Sequence, residues 1–150
     1  MLDPQKVRPP HVLFTLLVIT IGVQLWFKPA RLILPPFHWL GLMFGTDGLF
    51  LMIWARTIFK KQETPVRHSE VPTKFVTEGP YRVTRNPMYV GAITLLCGMA
   101  VFVGTWPFML LPLFLFLILD RIYIPWEEET MLRLFGEEYQ KYLEETRRWL

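Results

Sequence analysis

Residues 87–124 read PMYVGAITLLCGMAVFVGTWPFMLLPLFLFLILDRIYI, and this stretch decides the fold. It contains two apolar runs, residues 87–104 and 107–124, each close to the roughly 20 residues that cross a bilayer as a helix. Only an uncharged turn around Thr105 and Trp106 separates the two runs. Since so short a connection joins neighbouring antiparallel helices, the stretch predicts a membrane-spanning helical hairpin.

Two further apolar runs precede the hairpin, at residues 11–27 and 39–59. Hydrophobic residues make up 52% of the 150 residues and charged residues only 19%, against roughly 25% in soluble domains. We therefore predict an all-α, polytopic membrane protein with about four transmembrane helices. The length is that of a single domain, covering residues 1–150.

Positive charges gather on one side of the predicted spans, and only Lys28 and Arg31 lie on the other side. Cytoplasmic loops of membrane proteins carry the excess of lysine and arginine. We therefore expect both termini, the loop over residues 60–86 and an amphipathic C-terminal helix over residues 126–148 to face the cytoplasm. The basic residues on that side are Lys6, Arg8, Arg56, Lys60, Lys61, Arg67, Lys74, Arg82, Arg85, Arg121, Arg133, Lys141, Arg147 and Arg148.

Composition also bounds the possible partners. The net charge of +3 is too small, and too scattered among apolar runs, to indicate nucleic-acid binding, and the expected partner is the lipid bilayer. The histidines His11, His38 and His68 are far apart and lack the spacing of metal ligands, so no metal site is predicted.

Both ends of the hairpin carry polar clusters. One cluster, Gly79-Pro80-Tyr81-Arg82-Val83-Thr84-Arg85-Asn86, leads into the third span. The other consists of Asp120-Arg121 in the last turn of the fourth span and Pro125-Trp126-Glu127-Glu128-Glu129 directly after it. Because the two ends share one side of the membrane, we expect a single site at its surface. Each cluster has a structural alternative, since Asn86-Pro87 is a favoured helix start and glutamates after Pro125 complement a helix dipole.

The second span contains two features of its own. Asp47 lies near its middle, where a carboxyl group is costly and indicates function, with a hydrogen bond to a neighbouring helix as the alternative. Gly41 and Gly45 are spaced for close helix packing, within one chain or between chains.

The motifs of the C-terminal half resemble the isoprenylcysteine carboxyl methyltransferase family, which is related to the integral-membrane phospholipid methyltransferases. The matching residues are Gly79-Pro80-Tyr81-Arg82, then Arg85-x-Pro87-x-Tyr89-x-Gly91, then Glu127-Glu128 with Leu132, Phe135-Gly136-Glu137-Glu138-Tyr139 and Tyr142. The resemblance covers residues 72–149, and the N-terminal half fits by its two hydrophobic spans.

This resemblance implies transfer of a methyl group from S-adenosylmethionine, bound between the last two membrane helices and the cytoplasmic C-terminal segment. The implied cofactor contacts are Thr73, Lys74, Phe75, Val76, Tyr81, Arg85, Asn86, Pro87, Tyr89 and Glu127. Arg121 is the expected basic residue that orients the substrate, and Glu128 is the candidate catalytic base.

Asn86 departs from the family, which usually has histidine at this position. Asparagine donates and accepts hydrogen bonds as a neutral imidazole does, but it does not titrate. A carboxylate acceptor is already ionised at neutral pH, whereas amine, thiol and phenol acceptors need a base. Asn86 therefore favours an amphiphilic carboxylate acceptor whose apolar part enters from the bilayer, or an acceptor whose base is Glu128.

Other classes of function remain open. A small transporter in which Asp47 couples cation movement fits the mid-span acid but leaves the polar clusters unexplained. A non-catalytic membrane protein that keeps the methyltransferase fold is compatible with the missing histidine. A membrane reductase with a related helical architecture is a more distant alternative.

Overall fold

The computed structural model of the protein describes residues 7–61 and 75–150. Every regular element within these residues is helical, which confirms the predicted all-α class. The helices are α1 Pro9–Phe27, α2 Leu40–Lys61, α3 Pro87–Val103, α4 Trp106–Ile118, α5 Ile124–Phe135 and α6 Glu137–Glu145. Short 3-10 turns cover Phe37–Trp39 and Gly79–Arg82, and the π-helical segment Leu119–Tyr123 joins α4 to α5 without a break.

The apolar helices are those of an integral membrane protein. Three stretches are long and apolar enough to cross a bilayer: Pro9–Phe27, Phe37–Lys61 and Trp106–Phe135. The predicted third span corresponds to α3, an apolar helix of 17 residues at the lower end of the spanning range. The helix that contains the fourth span continues beyond the predicted residue 124, because the π-helical segment joins α4 directly to α5.

The prediction of one C-terminal helix over residues 126–148 requires correction. Two helices, α5 and α6, meet at Gly136, and α6 ends at Glu145. Gly136 has φ 54° and ψ −128°, a backbone conformation that is essentially restricted to glycine. The apolar spacing that predicted one helix persists across this break, because Phe135 and Tyr139 both pack against Phe75.

We expect Gly136→Ala to destabilise the protein by about 1–3 kcal/mol through backbone strain alone. A Cβ at this position would meet nothing within 4 Å, so steric contact makes no contribution. Gly22→Ala is the matched control, since a Cβ there is equally uncrowded and Gly22 lies within α1. Thermal unfolding in detergent gives the midpoint temperature of both variants and of the wild type. A wild-type midpoint for Gly136→Ala would show that the turn tolerates alanine.

Helices α2 and α3 pack backbone to backbone. Gly41 and Gly48 of α2 face Gly98 and Gly91 of α3, at separations that leave no room for a Cβ. The packing role predicted for Gly41 and Gly45 operates within one chain: Gly41 has no room for a Cβ, whereas Gly45 contributes only its backbone, which approaches Gly98. Asp47 is exposed on α2.

A second contact surface joins α1, α3 and α4 through buried apolar side chains. Leu96 of α3 and Leu111 and Leu115 of α4 are nearly inaccessible, and Val12 of α1 belongs to the same cluster. The bundle order is thus α2, α3, α4, α1. This order brings the N-terminal end of α3 beside the beginning of α5, where the two polar clusters lie.

Candidate functional site

The turn before α3 is tied to the last residues of the chain. We call residues 146–150 the C-terminal strap. Thr84 and Arg147 form a parallel bridge, and the Arg85 amide donates to the Arg147 carbonyl at 2.9 Å. The Arg148 carbonyl accepts from Thr84 Oγ1 and from Asn86 Nδ2, each at 3.0 Å. The strap therefore forms one wall of the polar region at the start of α3.

Glu128 lies at the centre of this region, between two arginines. Arg85 Nη2 donates to Glu128 Oε1 at 2.9 Å, and Arg148 Nη2 donates to Glu128 Oε2 at 2.6 Å. The Arg85 and Glu128 side chains are only 12% and 13% exposed. The hydrogen bond to Glu128 raises the pKa of Arg148. Glu128 is thus a largely buried ion-pair centre that joins α5, the turn before α3 and the strap.

Arg85 also supports the end of α6. Its Nη1 atom donates to the carbonyls of Leu143 and Thr146, which belong to the last turn of α6 and its C-cap. These carbonyls have no partner inside the helix. Arg85 therefore bonds both to Glu128 and to the Thr146 carbonyl of the strap. Its Nε–H group is buried and makes no hydrogen bond within the described residues.

Glu127 faces a different neighbour, because successive helical residues point about 100° apart. Tyr89 in the first turn of α3 donates its hydroxyl to Glu127 Oε1 at 2.6 Å. Tyr81 is 4% exposed, and its hydroxyl finds no partner among residues 7–61 and 75–150. Burial, and then the charges of Tyr142 and Glu127, raise the pKa of Tyr81 well above its usual value. We call Tyr81, Tyr89 and Glu127 together the tyrosine–glutamate cluster.

The segment before Tyr81 packs this cluster against the C-terminal part of α2. Val76 is buried with Tyr81 and Ala55, and Phe75 packs against Phe135, Tyr139 and Tyr142. Tyr142 donates its hydroxyl to the Tyr81 carbonyl at 2.7 Å, and burial raises the pKa of Tyr142 to about 12. A polar cleft of about 440 Å³ opens beside Phe75 and Tyr142.

The π-helical segment supplies Asp120 to the strap. Trp149 Nε1 donates to Asp120 Oδ1 at 2.9 Å, and Arg148 Nη1 lies 3.6 Å from the same oxygen. The Trp149 ring packs against Phe116 with a centroid distance of 4.9 Å. An apolar groove of about 210 Å³ lies along this face, lined by Val90, Ile93, Thr94, Phe116, Trp149 and Leu150.

The structure brings most of the predicted site residues together. Arg85, Asn86, Pro87 and Tyr89 lie with Glu127 and Glu128 at the junction of α3, α5 and the strap, and Phe75, Val76 and Tyr81 adjoin them. Thr73 and Lys74 lie outside the described residues. Arg121 is placed elsewhere: its side chain is 78% exposed and pairs with Asp120 at 3.3 Å.

Sequence reasoning missed Arg148, Trp149 and the role of Asp120. The pair Arg148-Trp149 after an amphipathic helix has the composition of an interfacial anchor. The proximity of Asp120 to both residues follows only from the fold, since 28 and 29 positions separate them in the chain. The structural alternatives given for the two polar clusters are confirmed in part. Pro125 lies at the start of α5 with Glu127 in its first turn, and Asn86 is the N-cap residue of α3.

Comparison with known proteins identifies one family. A sequence model of phospholipid methyltransferases matches residues 36–138, more than half of the chain. The match spans α2, α3, α4 and α5, includes the tyrosine–glutamate cluster and Glu128, and ends before the strap. No curated protein matches the chain.

Proposed function

This chain belongs to the phospholipid methyltransferase family of membrane methyltransferases, and we propose that it transfers a methyl group from S-adenosylmethionine to an amphiphilic acceptor at the cytoplasmic membrane surface. Membership confirms the resemblance to the isoprenylcysteine carboxyl methyltransferase-like proteins that the sequence motifs predict. The cofactor, the acceptor and the membrane face are our proposals.

The tyrosine–glutamate cluster is the observation that carries the cofactor proposal. When bound, S-adenosylmethionine supplies an electrophilic methyl group on a positively charged sulfonium. A carboxylate and aromatic faces are the groups that attract such a cation. Glu127 offers the carboxylate and is held in place by Tyr89 at 2.6 Å. The buried Tyr81 hydroxyl, unpartnered within the described residues, is available to a bound ligand.

Positioning is the main contribution that these residues make to methyl transfer. The reaction is an in-line displacement in which the nucleophile takes the methyl group and the sulfur keeps the bonding electron pair. Holding two reactants in line supplies much of the acceleration in such reactions. Tyr89 and Glu127 lie on two different helices, α3 and α5, which their hydrogen bond of 2.6 Å joins. A cluster held from two helices in this way would position the sulfonium while the acceptor approaches.

The apolar groove beside the strap supports an amphiphilic acceptor. Its lining is mostly apolar, and it is bounded by Trp149 next to Arg148. The Arg148 side chain is 35% exposed, so its guanidinium is accessible to a charged head group. An acceptor with an apolar tail and a carboxylate head would therefore fit the groove and Arg148 together. In our proposal Arg148 takes the orienting role that the resemblance implied for Arg121.

A carboxylate acceptor also agrees with the state of Glu128. Two arginines donate to both of its oxygens. The bonds from Arg85 and Arg148 therefore already occupy both oxygens of the group that the sequence suggests as the base. We therefore propose that Glu128 organises the site and that the acceptor arrives already deprotonated.

The cofactor proposal predicts that Glu127→Gln weakens binding of S-adenosylmethionine by about 10- to 100-fold, because a charge-assisted interaction contributes about 1.5–3 kcal/mol. Isothermal calorimetry on purified protein in detergent measures the dissociation constant. Glu129→Gln is the matched control, since Glu129 is exposed on the same turn of α5. Equal affinities for the two variants would remove Glu127 from the site.

Transfer itself requires a second measurement. Purified wild-type protein is incubated with methyl-labelled S-adenosylmethionine and amphiphiles that carry a carboxylate, an amine or a thiol head. We expect label to enter the carboxylate series. Failure of well-folded wild-type protein to bind S-adenosylmethionine would contradict the enzyme proposal, and binding without transfer to any acceptor would favour a non-catalytic member of the family.

A further inference from the structure

We infer that Asn86 is a positioning residue whose side-chain amide holds the C-terminal strap across the start of α3 and so fixes Arg148 on Glu128. The effect of Asn86 on methyl transfer rests on the proposed function, whereas its hydrogen bond to the strap does not depend on that function. The inference starts from the unusual use that the structure makes of a helix N-cap residue.

Asn86 is the N-cap residue of α3, yet its side chain makes no capping hydrogen bond to that helix. Asparagine at this position ordinarily accepts from an amide two or three residues onward. Here the main-chain carbonyl of Asn86 accepts from Tyr89 and Val90, each at 3.0 Å. The side-chain amide is left for another partner and donates to the Arg148 carbonyl, 62 positions away, at 3.0 Å.

The Arg148 carbonyl accepts a second hydrogen bond besides that from Asn86. Thr84 Oγ1 donates to the same oxygen at 3.0 Å, so both of its lone pairs are occupied. One residue earlier, the Arg147 carbonyl accepts from the Arg85 amide. Three hydrogen bonds from Thr84, Arg85 and Asn86 thus fix the backbone of the strap on either side of the Arg148 Cα atom.

A fixed backbone at residue 148 determines where its guanidinium lies. From this anchor Arg148 reaches Glu128 Oε2 at 2.6 Å and Asp120 at 3.6 Å. Trp149, which follows directly, completes the apolar groove and bonds to Asp120. Loosening the Asn86 contact would therefore release the ion-pair centre and one wall of the groove together.

This role requires a hydrogen-bond donor and no change of charge. A histidine ring also offers an N–H donor, whether neutral or protonated. Histidine at position 86 should therefore replace the asparagine without adding a pH dependence. If position 86 instead transferred a proton, a histidine there would make turnover follow its own titration near pH 6.5.

The test measures the strap directly, by hydrogen–deuterium exchange of the Arg85 amide in the purified full chain. Its bond to the Arg147 carbonyl protects this amide only while the strap is in place. We expect about fivefold to tenfold faster exchange in Asn86→Ala, and the wild-type rate in Asn86→His. Gln140→Ala is the matched control, because it removes an exposed side-chain amide that bonds to Glu144 at 3.1 Å.

Asn86→Asp provides a second variant of nearly equal volume that cannot donate when ionised, in case alanine disturbs folding. Unchanged exchange in both Asn86→Ala and Asn86→Asp would overturn the inference. So would a new pH-dependent limb near pH 6.5 in the methyl-transfer profile of Asn86→His. If wild-type protein shows no methyl transfer while the exchange pattern is as expected, the proposed function fails and the hold of Asn86 on the strap stands.

Discussion

Gly48→Ala is expected to destabilise the protein by about 3 kcal/mol, near the upper end of the usual cost of overpacking. A Cβ at Gly48 would lie 2.4 Å from the Leu95 amide nitrogen and 2.6 Å from the Gly91 carbonyl oxygen. Both obstacles are backbone atoms of α3, so no side-chain rotation relieves the clash. The helices must separate, and the paired glycines Gly41 and Gly98 would lose their contact as well.

Gly45→Ala is the matched control for this prediction. It lies one turn away on the same helix, but a Cβ there would meet only the Leu95 Cδ1 atom at 3.7 Å, an ordinary contact. Alanine also favours a helix over glycine by about 1 kcal/mol, so this variant should be no less stable than wild type. Thermal unfolding in detergent, followed by circular dichroism, compares the two. Equal stabilities would show that α2 and α3 are not packed backbone to backbone.

The spans and the hairpin could be predicted because their signals are local. An apolar run reports its own length, and the short turn at Thr105 leaves only an antiparallel arrangement. The meeting of Glu127 with Tyr89 was also predictable in outline, since charge asymmetry placed both ends of the hairpin on one side. The predicted topology thus indicated that Tyr89 and Glu127, which are 38 positions apart, lie near each other.

The strap could not be predicted, because its contacts are made largely by backbone carbonyls. The Arg148 carbonyl accepts from Thr84 and Asn86, and a carbonyl group is common to all residues. The division of the C-terminal helix was hidden for a related reason. Apolar spacing continues across Gly136, and only the backbone angles show that the glycine turns the chain.

Arg121 and Arg148 illustrate how far the residues of the site could be predicted from the sequence. Both follow apolar or amphipathic helices, and both are arginines near acidic residues. Within the π-helical segment the Arg121 side chain is 78% exposed, whereas Asp120 accepts a hydrogen bond from Trp149. An extra residue in one helical turn rotates everything beyond it, and π-helical turns are frequent at functional sites. Nothing in the sequence marked this turn, so our proposal of Arg148 in the orienting role rests on the fold.

Glu128→Ala is expected to destabilise the protein by about 3 kcal/mol or more and to abolish methyl transfer. Removing one member of a buried ion pair leaves an uncompensated charge, which typically costs about 3–5 kcal/mol. Here two guanidinium groups lose their shared partner: Arg85, which is 12% exposed, and Arg148, which the strap holds in place. Glu129→Ala is the control, since Glu129 is the next residue of α5 and is exposed.

Glu128→Gln distinguishes an ion-pair centre from a general base, because it keeps the size of the side chain and removes its charge. If Glu128 organises the site, the Glu128→Gln variant should be less stable and its strap should be released. The Arg85 amide, which is protected by its bond to the Arg147 carbonyl of the strap, should then exchange faster. If Glu128 accepted a proton from the acceptor, glutamine should leave stability and cofactor affinity unchanged and lower only kcat. The contacts favour the first outcome, since three hydrogen bonds from Arg85 and Arg148 already occupy both carboxylate oxygens.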